Sequence, residues 1–556
     1  MRKTYIISIA FFLLISCADY DVVIRNGMVY DGTGEEPYTG DVAIINDKIV
    51  KVSKSINGKG KKEINASGLA VSPGFINMLS WATTSLIKDG RSLSDIKQGV
   101  TLEVFGEGWS MGPLNEEMKE EQQAEAKGFE IDWNSLGQYL ESLEKRGVST
   151  NVASFLGATT LRIHEIGFED RKPTDQEMNN MRELVREAME EGAMGIGSSL
   201  IYAPAFYSST EELIELCKVA SEYGGMYISH MRSESNKLLE ALDELIKISK
   251  EANISAEVYH LKAGGLPNHY KIDLVIEKIN KARDQGLNIT TNMYNYIAGA
   301  TGLDAHMPPW VQEGGYDKWV KRLKNPLIRA RVKQEMIKDT DDWENLGFLS
   351  GADGVLFSDF KNPKLRKYIG MTLKEVSDKL KKHYADVAID FVIEDGSRVE
   401  VVYFLMSEEN IKKQIQLPYM SFGSDAGSIA PEGEFLNSNP HPRAYGNFAR
   451  LLGKYVREEK VISLENAIYK LSGLSATKLK LKKRGFLKEG HFADVLIFDP
   501  NTISDHATFE KPHQLATGMQ HVFVNGVQVL NFGKHTGMTP GRVVRGPGYK
   551  NKSYGY

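Results

Sequence analysis

From Asp21 to Val52, "DVVIRNGMVYDGTGEEPYTGDVAIINDKIVKV" alternates apolar and polar residues between Gly- and Asn-containing turns, which predicts short antiparallel strands. The same alternation returns near the other end in "HFADVLIFD" (491–499) and "HVFVNGVQVLNFG" (521–533), so one β-sandwich assembled from both termini is expected. Between these segments the pattern changes to apolar runs separated by amphipathic stretches such as "EELIELCKVASEYG" (211–224) and "KLLEALDELIKISKEA" (237–252). In order, the runs are "AVSPGFINML", "VTLEVFGEG", "STNVASFLGATTLR", "AMGIGSSLIY", "GMYISHM", "ISAEVYHLK", "LNITTNMYNY" and "YMSFGSDAG". Eight strand–helix units predict a parallel (β/α)8 TIM barrel, an α/β fold whose reactive groups gather where the strands end.

One excursion interrupts the rhythm between the seventh and eighth runs. Residues 341–416 carry their own helix pattern, "TLKEVSDKLKKHY", and strands, which predicts a small inserted α+β domain over the barrel mouth. The expected division is then 18–73 and 485–533 for the sandwich, 74–340 and 417–484 for the barrel, 341–416 for the insert and 534–556 for a Gly-containing tail.

Composition adds boundaries to this picture. With 556 residues, 42% hydrophobic and 25% charged, the chain is globular, and a net charge of −5 without a basic cluster gives no reason to expect a nucleic-acid partner. Arg2 and Lys3 precede an apolar run from Tyr5 to Ile15 that ends in "LISC". Residues 1–17 therefore read as a secretory signal whose Leu14-Ile15-Ser16-Cys17 resembles a bacterial lipobox, with a lipid-bearing Cys17 anchoring the protein in the cell envelope. Only Cys17 and Cys217 are present, so no intramolecular disulfide framework is expected after export.

Candidate chemistry sits at the strand ends. Run two ends in Glu107, run five in His230, run six in His260 and run eight in Asp425. Two imidazoles and a carboxylate converging on one mouth suit a divalent metal with an open position for water, and a nearby carboxylate such as Asp425 suits the acid/base.

These segments resemble the N-acyl-D-amino-acid deacylase (D-aminoacylase) family of the amidohydrolase superfamily over nearly the whole mature chain. The resemblance is carried by "VSPGFI", "LIYAPAFYSSTEEL", "SHMRSE", "HLKAGG", "YNYIAGATGL", "FGSDAG", "HPRAYGNFARLLG" and "GFLKEGHFADVLIFDP", all in the same order. It implies a zinc held by His230, His260 and a strand-two ligand, with Asp425 as acid/base. It also implies a substrate carboxylate held by Lys262, Tyr294 and Arg443, with His441 and Arg232 behind them. The implied substrate is a small N-acyl-D-amino acid or a D-residue-containing dipeptide.

The departures from the family pattern are local. Leu79, Ser80 and Trp81 stand where amidohydrolases place a His-x-His pair, Glu107 where this family has its ligand Cys, Ala158 in place of a His and Ala300 in place of a Ser. Loss of the pair removes a weak second metal position, while Glu107 is a harder ligand than thiolate and makes Mn or other ions competitors of Zn for a single divalent site. Two alternatives remain open at this point. A hydantoinase-like cyclic-amide hydrolase is one, although "GIGSSLIY" lacks the strand-four Lys that such enzymes carboxylate. A metal-free lipoprotein that binds without cleaving is the other.

Overall fold

The computed structural model describes residues 18–126 and 128–551, so the predicted signal and Cys17 lie outside the described residues. Its centre is the expected parallel barrel: β1 (Phe75–Asn77), β2 (Val100–Phe105), β3 (Asn151–Ser154, resuming as Leu156–Gly157), β4 (Gly195–Ser199), β5 (Met226–His230), β6 (Ser255–Val258), β7 (Ile289–Met293) and β8 (Met420–Phe422). Parallel pairing runs β1–β2–β3 and, from the second part of β3, through β4, β5, β6 and β7 to β8. A hydrogen bond from Met78 N to Phe422 O (3.0 Å) closes β8 onto β1.

The strands are buried almost throughout because both their faces are covered, polar members such as Glu103, Glu257 and Thr291 included. Ile76, Leu79, Leu102, Val104, Ala153, Ile228 and Tyr259 fill the interior, and the helices cover the outside. The helix Leu238–Glu251 shows how: Leu238, Ala241, Leu242, Leu245 and Ile248 recur at helical spacing and are all buried. Truncating one of them, as in Leu242→Ala, costs about 2–5 kcal/mol.

Strands from both termini do assemble together, but as one sheet of nine strands that is continuous in its hydrogen bonding. Val71 and Ile497 are paired partners where the N-terminal and C-terminal parts join, and Val22, Ile24, Val495 and Ile497 share one core. The insert is larger than expected and starts earlier. A strand at Ala298–Gly302 pairs with Glu400–Phe404, which also pairs with Val355–Asp359. Leu303, Trp319, Val332, Phe357, Phe391 and Tyr403 share the core beneath that sheet. The insert therefore spans about 298–406 and not 341–416. Conversely, the helix Glu408–Ile415 belongs to the barrel, since Ile411 and Ile415 pack in the main core.

The Gly-containing tail is also structural. Gly541 N donates to Val148 O (2.7 Å), Val544 N to Val152 O (2.8 Å) and Gly546 N to Gly192 O (2.7 Å), so this segment straps the start of β3 and the turn leading into β4. Among the described residues, no helix is long and apolar enough to cross a membrane.

Candidate active site

Glu107 follows β2 in Gly106-Glu107-Gly108, and both glycines adopt positive φ, +105° and +73°. A Cβ on Gly106 would lie 2.3 Å from Phe155 O, and one on Gly108 would lie 2.6 Å from Ser199 Cβ. Only glycine lets the chain turn this tightly between its neighbours, and the turn delivers the Glu107 carboxylate to the barrel mouth. Two further site residues hold left-handed backbones without being glycine: His260 (φ +29°) and Asp425 (φ +50°). Such conformations cost on the order of 1–3 kcal/mol and are kept where surroundings enforce them. Here Asn292 Oδ1 accepts from His260 N, and Leu79 O accepts from Asp425 N, both at 2.8 Å.

The predicted metal ligands come together. Glu107 Oε1 lies 2.6 Å from His260 Nε2 and 3.1 Å from His230 Nδ1, all three side chains are buried, and the imidazoles meet edge to face at 4.5 Å. One donor atom from each lies within 4.8 Å of the others, a spacing compatible with ligands about 2.0–2.2 Å from one shared ion. Nε2 of His230 is buried 3.3 Å from Glu234 Oε2, without a well-aligned hydrogen bond among the described residues. Two imidazoles and one carboxylate, buried and converging, thus fit a divalent cation by the chemistry of their donors.

Burial works against the charge on Glu107, but the facing His260 and His230 hold its carboxyl well below the usual range. Burial and Lys262 press His260 downward, and Glu107 and Glu234 outweigh them, pushing it up to about 9.

Glu234 was not anticipated. It lies within the "SHMRSE" segment, four residues past His230, and its carboxylate lies 3.0 Å from His260 Nδ1 and accepts from Lys262 Nζ at 2.7 and 2.9 Å. Glu344, from the insert, fixes this loop: it accepts from Ser233 Oγ (2.6 Å), Ser235 Oγ (2.9 Å) and Glu234 N (3.0 Å). Burial pushes Glu344 up to about 7.

This arrangement changes the reading of Lys262. Its ammonium, expected to reach for substrate, is committed to Glu234, because two buried carboxylate oxygens are stronger claims on it than open cavity, and it lies 2.6 Å from His260 Nδ1, which faces the same carboxylate. It remains in the cavity wall as part of the network that orients His260.

Asp425, Tyr294 and Arg443 meet on the opposite side. Arg443 Nη1 lies 2.8 Å from Asp425 Oδ2, and the guanidinium stacks over Tyr294 at 4.3 Å. Arg443 is 3% exposed and its Nε has no hydrogen-bond partner among the described residues, so a buried donor remains available to an incoming acceptor. Burial raises Asp425 above the ordinary carboxylate range, against the pull of Arg443. Of the two residues placed behind the site, His441 does support it, its Nδ1 accepting from Arg443 N (3.0 Å), whereas Arg232 pairs with Glu244 (2.9 Å).

Glu107, His230, Glu234, His260, Lys262, Tyr294, Asp425, His441 and Arg443 line a cavity of about 420 Å³ that is roofed by Thr301, Asp359, Arg398, Glu400 and Tyr403 of the insert. That volume suits a small ligand. Imidazoles and carboxylates at the strand ends of a parallel barrel, with a further carboxylate facing a cationic fork, are the setting of a hydrolase of the metal-dependent barrel type.

Comparison with known proteins narrows the class. The amidohydrolase family profile Amidohydro_3 matches residues 420–530. D-aminoacylase of Alcaligenes xylosoxydans xylosoxydans is 30% identical over 527 residues, 94% of this chain and 97% of that protein. N-acyl-D-aspartate deacylase of the same organism is 28% identical over 531 residues, 95% of each chain. A solved D-aminoacylase, described by a binuclear metal center with one-metal activation and second-metal attenuation, superposes with a TM-score of 0.78 at 28% identity, covering 95% of this chain and 100% of that one. The chain belongs to the D-aminoacylase family of amidohydrolases.

Proposed function

We propose that this protein is a metal-dependent deacylase that hydrolyses the amide bond of N-acyl-D-amino acids or of D-residue-containing dipeptides. The observation that carries the reading is one cavity in which Glu107, His230 and His260 cluster opposite Asp425 and the unpartnered Nε of Arg443. End-to-end similarity to D-aminoacylase supports it.

Glu107, His230 and His260 would hold one divalent ion, zinc foremost, with manganese a competitor because Glu107 is an oxygen ligand. The chemistry such an ion supplies when bound is polarisation of the amide carbonyl and acidification of water. Arg443 binds the free carboxylate of the substrate through its guanidinium fork, with Tyr294 beneath it as a rigid platform. Asp425, adjacent to that fork, takes the proton of the attacking water and delivers it to the leaving nitrogen. Glu234 and Lys262 keep the His260 ring oriented.

A lipid anchor on Cys17 would place this activity in the cell envelope, where D-residues occur in small peptides. Radiolabelled palmitate incorporated into the wild type and absent from Cys17→Ala tests that placement.

The activity is tested with paired N-acetyl-D- and N-acetyl-L-amino acids and D-dipeptides, on protein stripped with a chelator and then reloaded. Hydrolysis of D-substrates that returns with metal is expected. Equal rates before and after reloading, or preference for the L-series, would contradict the reading. A hydantoinase-like role is not supported by strand four: the likeness to an L-hydantoinase, TM-score 0.56 at 13% identity, is one of fold alone.

A further inference from the structure

Trp81 lies in the segment after β1, and its indole reaches across the mouth. Nε1 is 2.9 Å from Glu107 Oε2 and 3.1 Å from Asp425 Oδ1, so one N–H is shared between a ligand carboxylate and the acid/base carboxylate. The other oxygen of Asp425 is held by Arg443 at 2.8 Å. Two carboxylates that face one another across a short gap are a natural cradle for a cation, because a positive charge between them relieves their repulsion. In this protein the gap contains an indole hydrogen. Indole nitrogen is a donor with no acceptor capacity, so it satisfies both oxygens while offering no ligand of its own.

We infer that Trp81 is a positioning residue that occupies the place of a second cation, keeping the site to one ion while fixing Glu107 and Asp425. The inference rests on the metal-dependent reading above and adds to it a limit on stoichiometry. Its consequence is regulatory. The related D-aminoacylase has a binuclear centre with second-metal attenuation; a protein whose second position is filled by its own side chain has no such attenuation by excess metal.

Three proteins test this: the wild type, Trp81→His and Trp81→Phe, each dialysed to equilibrium against rising zinc and analysed for metal, with affinity measured against a competing chelator. The wild type is expected to saturate at one equivalent. Trp81→His puts a ring nitrogen lone pair beside the two carboxylates and is expected to take up a second equivalent. Trp81→Phe retains the bulk and loses the N–H; it is expected to stay at one equivalent and to bind it about 10–100-fold more weakly, the usual effect of removing a group that orients a ligand. Two equivalents in the wild type, or one in Trp81→His, overturns the blocking role. Unchanged affinity in Trp81→Phe overturns the orienting role. No metal in the wild type contradicts the metal-dependent reading itself and takes this inference with it, so the two failures are distinguishable.

Discussion

Glu103 and Glu107 are four residues apart and equally hidden from solvent, yet their surroundings drive them in opposite directions. Glu107 faces His260 and His230, and these outweigh burial to keep it ionised. Glu103, on the outward face of β2, accepts from Ser80 Oγ (2.7 Å) and Thr150 Oγ1 (2.9 Å), neutral groups that leave burial dominant. Burial and the neighbouring Asp95 push it well above the usual range, and burial, against the pull of hydrogen bonds from Ser428, Asn77 and Ser94, brings Asp95 up to about 6. Burial by itself therefore says little about a carboxylate; the charge of its partners decides whether it is a ligand in waiting or a neutral piece of the wall.

The largest expected effect concerns the mouth's own chemistry. Asp425→Asn should lower kcat by about 10²–10⁴-fold, the usual worth of a general acid/base, with metal content unchanged. Metal loss in this variant would make Asp425 a ligand instead. Next, Glu107→Gln in the metal-free protein strands two imidazoles opposite a neutral group, and should cost about 3–5 kcal/mol in urea unfolding, as expected when one partner of a buried charged pair is removed.

Arg443→Lys keeps a positive charge beside Asp425 and removes the fork. KM should rise by about 10–100-fold with a smaller change in kcat, since a hydrogen bond to a charged group is worth about 1.5–3 kcal/mol. A fall in kcat alone would move Arg443 from binding into catalysis.

The smallest effect is the one that sharpens the contrast. Glu103 and Asp95 have folded values raised above the ordinary carboxylate value of about 4, so the folded protein binds their protons more tightly than the unfolded chain. Their contribution is most favourable at low pH and is lost as pH rises from about 4 through the raised values. Glu103→Gln should change stability by less than about 1 kcal/mol at pH 5 and flatten its decline toward pH 8. An unaltered pH slope would refute the assignment.

Much of this architecture was legible because short strand-like runs alternate with amphipathic helices, and each of the eight runs contains a barrel strand. The strand Ala298–Gly302 escaped notice because "AGATG" is made of small residues with a single β-branched Thr301; its partner strand Glu400–Phe404 supplies the bulk through Val401, Val402 and Tyr403. The C-terminal strap pairs through backbone groups that side-chain patterning does not record. At the site, Glu107, His230, His260 and Asp425 could be read because a barrel brings strand ends together. Glu234 depends on a loop folding back onto Lys262 and His260, and Glu344 on the insert closing over that loop. Trp81 was visible only as a missing histidine, since its effect lies in where one N–H points.

The account turns on Glu107 as a metal ligand in place of a thiolate. Elemental analysis of the protein lacking its first 17 residues, made in parallel with Glu107→Ala, is the most direct test. About one equivalent of zinc or manganese in the former and none in the latter is the predicted result. Metal retained by Glu107→Ala, or absent from both after reconstitution, would contradict it.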